Sequence, residues 1–250
     1  MPKNSTANKK KFENVVCMNN DKIIDLLEKF KSEQKALLPK VQLKNNFQKE
    51  NIRFIAGVDV AYFDMQGKTK GVCCIVVFDL IEKQVIEKVH SHGEIRVPYI
   101  PGFLAFREMP LIKDAVKKLT KQVDIYMFDG NGYLHYRHMG IATQASFLLG
   151  KPTIGVAKSY LKINGVDFTM PQNKENAHTD IIINNEIYGR VLRTRVNVKP
   201  IFISCGNWID LDTTTEIVMK LIDKSSRLPI PVRFADIETH AIRKKLLIKE

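Results

Sequence analysis

The sequence predicts an α/β protein with a central mixed β-sheet flanked by helices. Two apolar segments and a third with alternating apolar residues come first, joined by short turns, which is the pattern of an antiparallel meander. Strand-like and helix-like segments then alternate, which is typical of a mixed sheet with helices packed on it. At 250 residues the chain is long enough to bury one large core. We therefore expect a single domain over residues 20–250, preceded by a disordered basic tail over residues 1–19.

The pattern of apolar residues predicts the individual elements in order along the chain. Their approximate ranges are 21–38 (helix), 55–63, 71–80 and 84–92 (strands), 111–119 (helix), 125–128 (strand), 138–149 (helix), 153–156 (strand), and 180–183, 187–194 and 200–204 (strands). Because proline fits best in the first turn of a helix, Pro110 places Glu108 near a helix start. Thr213-x-x-Glu216 has the pattern of a capping box and predicts another helix start. The last helix is expected to begin near Asp236.

An excess of basic residues indicates a polyanionic partner. Lys and Arg number 39 against 27 Asp and Glu, which gives a formal net charge of +12. Nucleic acid binds such surfaces by releasing counterions, although a soluble protein of lysine-rich composition has the same charge. No apolar run is long enough to span a membrane, and the N-terminus lacks the apolar core of a signal peptide. We therefore expect a nucleic acid partner, no membrane, and a cytoplasmic or nuclear location rather than secretion.

The cysteines indicate neither a zinc site nor a disulfide framework. Cys17, Cys73, Cys74 and Cys205 form no Cys-x-x-Cys pair. Cys73 and Cys74 are adjacent in an apolar segment, so we expect them on opposite faces of one strand. A reducing compartment fits this pattern.

Residues 98–108 combine a rigid turn, an aromatic side chain and a carboxylate. Pro98, Pro101 and Gly102 restrict the backbone around Tyr99, and Glu108 follows nine residues after that tyrosine. A fixed aromatic ring close to a metal-binding carboxylate suits an enzyme that separates bases and cuts a backbone. The same residues also suit a hairpin corner whose aromatic side chains cover the core, and the segment alone favours this structural interpretation.

Asp59 and Asp129 are further candidates for a functional site. Asp59 interrupts an apolar strand, and a buried carboxylate needs hydrogen bonds, a basic partner or a metal ion. Asp129 follows a strand and begins a glycine-rich turn, a common place for ligand groups in α/β sheets. With Glu108 they form an all-oxygen set, which suits Mg²⁺ or Mn²⁺ better than zinc. Taken singly, an aspartate in either setting more often has a structural role as a cap or a paired core charge.

These residues occur in the order and spacing of a known family. The blocks that carry the resemblance are Gly57-Val58-Asp59-Val60-Ala61, residues 98–108, Asp129-Gly130-Asn131-Gly132 with His135, Gly155-Val156-Ala157-Lys158, Leu192-Arg193-Thr194-Arg195, Lys199-Pro200, and Leu228-Pro229 through Asp236. Over residues 50–247 the chain resembles the endonuclease V family. The resemblance implies an RNase H-like fold and a metal-dependent endonuclease. Such enzymes cut one strand, one nucleotide beyond inosine on the 3′ side.

The resemblance also implies a catalytic site. The residues that would ligate or surround the metal ion, Mg²⁺ with Mn²⁺ able to replace it, are Asp59, Glu108, Asp129 and Asp236. Asp236 lies at an acidic position where some family members have histidine. Lys158 matches the lysine near the scissile phosphate, where a point charge is useful. His135 lies in the matching loop, and it either places the phosphate or water or is an ordinary loop histidine.

The same resemblance assigns the turn at residues 98–102 to base displacement. Tyr99, with Ile100 and Pro101, matches the wedge that takes the place of an extruded base. Removing a base from its stack costs roughly a few kcal/mol, and an aromatic ring can fill the gap. The backbone positions that would form the hypoxanthine pocket are Gly102, Leu104 and Gly130. Glycine allows close approach to a base, although glycines also serve simply as turn residues.

The sequence motifs indicate least clearly whether the substrate contains deoxyribose or ribose. Bacterial members of the family are DNA repair nucleases, whereas eukaryotic members favour inosine-containing RNA. Pro98–Pro101 resembles the bacterial sequence, while Asp129–Gly132 and the segment after Asp236 resemble the eukaryotic branch. No motif indicates a contact with a 2′-hydroxyl. We expect a slight preference for RNA.

One position departs from the family pattern. Family members usually have Gly-His where this chain has Gly206-Asn207. If that histidine contacts phosphate, Asn207 is expected to change the rate or the substrate preference.

Three other interpretations make different predictions. Another RNase H-like nuclease would share Asp59, Glu108 and Asp129 but would cut inosine-containing and inosine-free nucleic acid equally. A non-catalytic binding module would keep the fold, and its Asp59 would contribute no activity. A basic structural protein would gain no stability from divalent ions. No protein partner is indicated, and we expect a monomer.

Overall fold

The structure, a computed structural model, describes residues 20–248. Its helices are α1 Asn20–Leu37, α2 Leu104–Val116, α3 Ile141–Leu149, α4 Leu211–Lys220 and α5 Ile230–Ile248. Its strands are β1 Phe54–Met65, β2 Lys68–Asp79, β3 Gln84–Glu94, β4 Ile125–Asp129, β5 Thr153–Ala157, β6 His178–Ile183, β7 Glu186–Leu192 and β8 Ile201–Asn207. The basic tail expected over residues 1–19 lies outside the described residues. Each helix within residues 20–248 is too short or too polar to span a membrane.

Eight strands form one mixed sheet in the order β3-β2-β1-β4-β5-β8-β7-β6. The first three strands pair antiparallel in sequence order, as the predicted meander requires. β4 lies parallel to β1, β5 lies parallel to β4, and β8 pairs antiparallel with β5. The predicted central mixed sheet flanked by helices is therefore confirmed, with the parallel strands β1, β4 and β5 at its centre.

Apolar side chains of the central strands alternate between two cores on opposite faces of the sheet. Ile55 of β1 and Met127 of β4 belong to a core that also contains residues of α4 and α5. Ala56, the next residue of β1, belongs to a core with residues of α2 and α3. Since successive strand residues point to opposite faces, Asp59 and Asp129 lie on the face covered by α5.

The cysteines follow the same alternation. Cys73 lies in the core that α2 and α3 cover, and Cys74 lies in a small core against α5. Cys73, Cys74 and Cys205 are buried free thiols. The predicted placement of the adjacent pair on opposite faces is confirmed.

The start of α2 differs from the prediction. The helix begins at Leu104, so Pro110 lies inside it and not in its first turn. Phe106, near the helix start, stacks on Phe30 of α1 with ring centroids 3.8 Å apart, and Glu108 is buried in the second turn. This packing keeps the early turns helical although Pro110 donates no backbone hydrogen bond.

Two helix starts near the C-terminus are also earlier than predicted. The cap of α4 is Asp210, whose side chain accepts a hydrogen bond from the Thr213 N–H at 2.6 Å. Asp210 is the stronger capping residue, which the Thr213-x-x-Glu216 pattern overlooks. α5 begins at Ile230 with Pro231 in its first turn, where proline is favoured, so Asp236 lies in the second turn.

Candidate active site

The central strands bring three charged side chains to one edge of the sheet. The register pairs Val58 of β1 with Phe128 of β4, so Asp59 and Asp129 follow at the same level of neighbouring strands. Lys158 comes directly after β5, whose Val156 is the partner of Asp129. Two carboxylates and an ammonium group therefore share the edge that faces α5.

Gly57 allows α5 to approach β1 closely enough to add a third carboxylate. A Cβ at this position would lie 2.1 Å from the Pro231 carbonyl carbon and 2.4 Å from the Val232 nitrogen, so no larger residue fits under the helix. The helix carries Thr239, whose Oγ1 donates a hydrogen bond to Asp59 Oδ2 at 2.7 Å. It also carries Asp236, so that the first strand and the last helix together build the site.

Asp59, Asp129 and Asp236 form a candidate metal centre. Each offers one carboxylate oxygen, and these oxygens all lie within 4.8 Å of one another. Burial, and after it the charge of Asp129, raises the pKa of Asp59 to about 6. A cation stabilises such a group of like charges, and its hard oxygen donors suit Mg²⁺ or Mn²⁺. The donor set therefore fits a divalent metal ion.

Lys158 lies between two of these carboxylates. Its Nζ is 2.6 Å from Asp129 Oδ2 and 3.0 Å from Asp236 Oδ1. Burial lowers the pKa of Lys158, but hydrogen bonds and the charges of Asp129 and Asp236 outweigh burial and raise it overall. The side chain is therefore a positive charge at neutral pH, held at the metal centre and still one-third exposed.

Glu108 lies near this centre but outside the group of three carboxylates. Its Oε1 accepts a hydrogen bond from the Tyr62 hydroxyl at 2.5 Å, and its side chain is 7% exposed. Burial raises the pKa of Glu108 to about 8, against the hydrogen bond from Tyr62, and the charges of Asp59 and Asp129 raise it further. The charges of the candidate metal centre therefore affect the pKa of Glu108, which lies on α2. The predicted contact between Glu108 and a metal ion stays a prediction.

His135 packs against the Gly102 turn. Its Nδ1 accepts hydrogen bonds from the Arg137 and Met139 N–H groups, both at 3.3 Å. Burial, aided by the charge of Arg137, lowers the pKa of His135 to about 4. A neutral imidazole that accepts two backbone hydrogen bonds supports the loop, and this geometry favours the ordinary structural role over a phosphate contact.

The two interpretations of residues 98–108 apply to different side chains. Phe103 is buried and covers the core, whereas the Tyr99 side chain is 68% exposed. Pro101 is exposed and Ile100 is half-buried. Gly102 has φ +81°, a conformation that favours glycine, and a Cβ there would lie 2.8 Å from Arg137 Nη2. The turn therefore presents one free aromatic ring on a constrained backbone.

The backbone N–H groups at the positions predicted to form a base pocket differ in whether a protein acceptor already binds them. The Gly130 N–H donates to the Val156 carbonyl at 3.1 Å and is occupied. No protein acceptor within residues 20–248 takes the Gly102 N–H. Leu104 is the first residue of α2, and the preceding cap residue Phe103 makes no side-chain hydrogen bond to the helix. The available donors therefore lie on the Gly102 side of the predicted pocket.

A cleft of about 340 Å³ opens beside the metal centre. Its lining residues are Asp129, Gly130, Asn131, Ala157, Lys158, Ser159, Tyr160 and Leu161. Asp129 and Lys158 line this cleft and also belong to the charged group, so the cleft and the carboxylates adjoin. The cleft is thus open to a polymer next to the charged groups.

Sequence reasoning missed three residues that support the site. The Tyr62 hydroxyl donates a hydrogen bond to Glu108, and the Thr239 hydroxyl donates one to Asp59. Arg227 Nη2 donates a hydrogen bond to the Lys158 carbonyl at 3.1 Å. Thr239 could have been found, since it follows Asp236 by three residues and shares its helix face. Tyr62 and Arg227 carry no such signal, because their partners come from distant segments of the chain.

Asn207 lies far from the charged edge. It pairs with Thr153 at the start of β5, whereas Lys158 follows the end of that strand. The side chain is fully buried, accepts from the Gln42 N–H at 2.8 Å and donates to Ser146 Oγ at 3.1 Å. Asn207 is thus a core residue in this structure, and the condition set for an effect on phosphate contact is not met at this position.

Comparison with known proteins agrees with this geometry. The family model described as endonuclease V matches residues 35–237. Endonuclease V of Bacillus thuringiensis is 66% identical over 233 residues, which are 93% of this chain and 99% of that protein. The crystal structure of endonuclease V from Bacillus subtilis matches with a TM-score of 0.87 at 54% identity, covering 94% of this chain and 96% of that one.

An animal protein of the same family has also been solved with a nucleic acid. Endonuclease V of Ciona intestinalis, in complex with a 24mer DNA containing an inosine followed by a ribo-adenosine, matches with a TM-score of 0.79 at 27% identity. The match covers 89% of this chain and 99% of that one. These neighbours confirm the predicted RNase H-like fold. Because the family match extends from α1 into α5 and the bacterial relatives align almost from end to end, the chain belongs to the endonuclease V family of nucleases.

Proposed function

We propose that this nuclease recognises inosine in nucleic acid and hydrolyses the phosphodiester bond one nucleotide beyond it on the 3′ side. The observation that carries the proposal is the group of Asp59, Asp129 and Asp236 with Lys158 at the open edge of the sheet. A basic protein with an acidic centre in an open cleft is suited to draw in a polyanion and cut it.

Asp59, Asp129 and Asp236 would hold Mg²⁺, with Mn²⁺ as a substitute. When bound, such an ion activates water and stabilises the charge that develops on the scissile phosphate. Glu108 stays in the proposed catalytic set, since its carboxyl responds to the charges of Asp59 and Asp129. Lys158 would bind the phosphate as a point charge, because its ammonium group is fixed by two of the same carboxylates.

Recognition of the base is proposed for the Gly102 turn. Hypoxanthine has a carbonyl oxygen where adenine has an amino group, so a backbone N–H there favours inosine over adenosine. The Gly102 N–H has no protein acceptor within residues 20–248, and Leu104 begins a helix whose cap makes no side-chain hydrogen bond. Gly130 would contribute shape rather than a donor, because its N–H is occupied. The exposed Tyr99 ring, flanked by Ile100 and Pro101, would fill the space that the displaced base leaves.

The sequence identities to the bacterial and animal relatives help to choose between DNA and RNA as the substrate. Two short motifs favour RNA, but the Bacillus relative is 66% identical to this chain and the Ciona protein only 27%. Similarity along almost the whole chain outweighs two short motifs. We therefore propose that DNA is cut at least as fast as RNA, against the slight RNA preference expected from the motifs.

Single-turnover cleavage of matched oligonucleotides tests the proposal. Inosine or adenosine is placed at one position in DNA, in RNA, and in DNA with a single ribonucleotide after it, with Mg²⁺, Mn²⁺ or a chelator present. We expect metal-dependent cutting that is much faster for the inosine strands than for the adenosine strands, with the DNA rate equal to or above the RNA rate. Equal cutting of inosine and adenosine strands would instead identify an RNase H-like nuclease without base specificity.

A pair of variants on one strand tests the site. Asp59→Asn removes a proposed ligand, and we expect cleavage to fall by about a hundredfold or more. Asp64→Asn makes the same change at an exposed position of β1 and should cleave at the wild-type rate. Full activity of Asp59→Asn would assign the chemistry to another site.

A further inference from the structure

The buried face of α1 is directed at the Gly102 turn. Among the described side chains of this helix, the buried ones are Phe30 and Gln34, which lie one helical turn apart. The Phe30 ring stacks on Phe106 at a centroid distance of 3.8 Å and packs on Phe103 at 5.7 Å. Both partner rings follow the Gly102 turn directly. The aromatic contacts of Phe30 are thus contacts with residues that directly follow the proposed recognition turn.

Gln34 closes a ring of hydrogen bonds with Arg137 and Gly102. Its Oε1 accepts from Arg137 Nε at 2.7 Å, and its Nε2 donates to the Gly102 carbonyl at 3.3 Å. Arg137 Nη2 donates to the same carbonyl at 2.7 Å. Gln34 Nε2 also lies 3.2 Å from Gln144 Oε1 and 3.4 Å from the Met139 carbonyl. An amide suits this place because it accepts at one atom and donates at the other.

This ring restrains the most flexible residue of the turn. Glycine has more backbone freedom than any other residue, so Gly102 needs an external restraint to keep one conformation. Its carbonyl is held by Gln34 and Arg137, and the N–H on the far side of the same peptide group, that of Phe103, donates to the Ile100 carbonyl at 3.1 Å. Arg137 is itself fixed, since its guanidinium lies 4.2 Å from the Phe103 ring centroid. The peptide group after Gly102 is therefore held at both ends.

We propose that Gln34 is a positioning residue for discrimination between bases. By holding Arg137 and the Gly102 carbonyl, it sets where the Gly102 N–H and the Tyr99 ring meet the nucleic acid. The inference rests on the proposed recognition of inosine at this turn. It extends the recognition apparatus to the N-terminal helix, which carries none of the proposed metal ligands.

Three variants of α1 test the inference. Gln34→Met removes both the hydrogen-bond donor and the acceptor while the side chain keeps a similar size. Gln34→Glu keeps an acceptor for Arg137 but replaces the donor to the Gly102 carbonyl with a carboxylate oxygen. Ser32→Met is the matched control, because Ser32 is an exposed neutral residue of the same helix. Melting temperatures show that each variant is folded, and Gln34→Glu serves if Gln34→Met does not fold.

The readout is the ratio of single-turnover cleavage of inosine strands to that of matched adenosine strands, with KM and kcat measured separately. We expect both Gln34 variants to lower this ratio by about tenfold or more, through a higher KM for inosine strands. We expect kcat on inosine strands to stay within about threefold of wild type, since the carboxylates are untouched. In a double-mutant cycle with Arg137→Met, the two effects should be less than additive, since both residues hold one carbonyl.

The outcomes separate the two proposals. A wild-type protein that discriminates, with folded Gln34 variants that keep the wild-type ratio, overturns the positioning role alone. A drop in kcat with an unchanged ratio overturns it as well, since that result describes a general structural role. A wild-type protein that cuts inosine and adenosine strands equally overturns the proposed function and this inference together.

Discussion

The Tyr99 ring is 68% exposed, whereas Phe103, four residues later, is buried. Removing the exposed ring breaks no core contact, so Tyr99→Ala should change the free energy of unfolding by less than about 0.5 kcal/mol. The same change should slow cleavage of inosine strands by about tenfold or more, because base displacement loses its support. Tyr99→Phe keeps the ring and should stay near the wild-type rate.

Denaturant unfolding and single-turnover cleavage measure these two effects of Tyr99→Ala. Ile81→Ala provides the control, since Ile81 is 66% exposed and lies in the turn between β2 and β3, away from the site. A Tyr99→Ala protein that cleaves as fast as wild type would remove the wedge role from this residue.

His135 makes the stability of the protein depend on pH. Its pKa in the folded state is about 4, below the value near 6.5 that histidine has in an unfolded chain. Between these values the unfolded chain binds more protons, so the free energy of unfolding decreases as pH falls through this window. The full effect of this one group is about 3 kcal/mol. Asp59 and Glu108 act in the opposite direction, because their pKa values are raised.

Comparison with His135→Gln isolates this contribution. Urea unfolding at several pH values between 7 and 4 gives the free energy of unfolding for both proteins. As the pH is lowered, we expect the free energy of unfolding to fall more for the wild-type protein than for the variant. Parallel pH profiles would show that His135 is protonated without cost in the folded protein.

The sequence identifies the charged residues better than it identifies their support. Asp59 and Asp129 are recognisable because an apolar strand makes a lone carboxylate conspicuous, and the resemblance adds Asp236 and Lys158. Gln34 and Tyr62 are not recognisable, since a polar residue in a helix or strand shows its partner only after folding. Asn207 is the reverse case, because a residue that is conspicuous for its departure from the family pattern lies in the core.

Gly57 determines whether α5 can dock on β1. In Gly57→Ala the new Cβ would lie 2.1 Å from the Pro231 carbonyl carbon, and a backbone cannot yield as a flexible side chain can. We expect a loss of about 2 kcal/mol or more in the free energy of unfolding. We also expect loss of cleavage, since displacement of α5 separates Asp236 from Asp59.

Gly93→Ala is the matched control for Gly57→Ala. Its added Cβ would meet only the Leu111 side chain, at 3.3 Å, on the edge strand β3. Thermal unfolding and cleavage assays of both variants provide the comparison. A Gly57→Ala protein with wild-type stability and activity would show that α5 can shift without harm to the site.

The elements themselves are predicted well except at their boundaries. The meander and the alternating strands follow from apolar periodicity, which is a property of each segment alone. The start of α2 does not, because Pro110 argues for a later start and the ring of Phe30, from a different helix, stabilises an earlier one. Local pattern locates an element, and contacts between elements decide where it begins.

At the scale of the whole molecule, the net charge of +12 should control affinity through salt. Displacement of counterions makes the logarithm of the binding constant fall linearly with the logarithm of salt concentration. For six or more phosphate contacts, affinity should fall by about a thousandfold between roughly 50 and 200 mM salt. The slopes for inosine and adenosine strands should agree, since the phosphates are the same in both.

Fluorescence anisotropy with Asp59→Asn protein measures binding without cleavage. The ratio of affinities for inosine and adenosine strands should stay constant across the salt range, because the base contacts involve no counterion release. An affinity that does not respond to salt would assign binding to uncharged contacts.

The Thr239 hydroxyl and the Asp59 carboxylate that it bonds are 180 residues apart along the chain. During translation β1 is synthesised before α5, so Gly57 is not covered until the helix that packs on it has been made. A nascent chain on the ribosome therefore has two of the three clustered aspartates but lacks Asp236 until α5 has emerged. The group of three carboxylates is therefore complete only after α5 has been synthesised and has docked on β1, so the order of synthesis makes the nuclease centre one of the last parts of the fold to assemble.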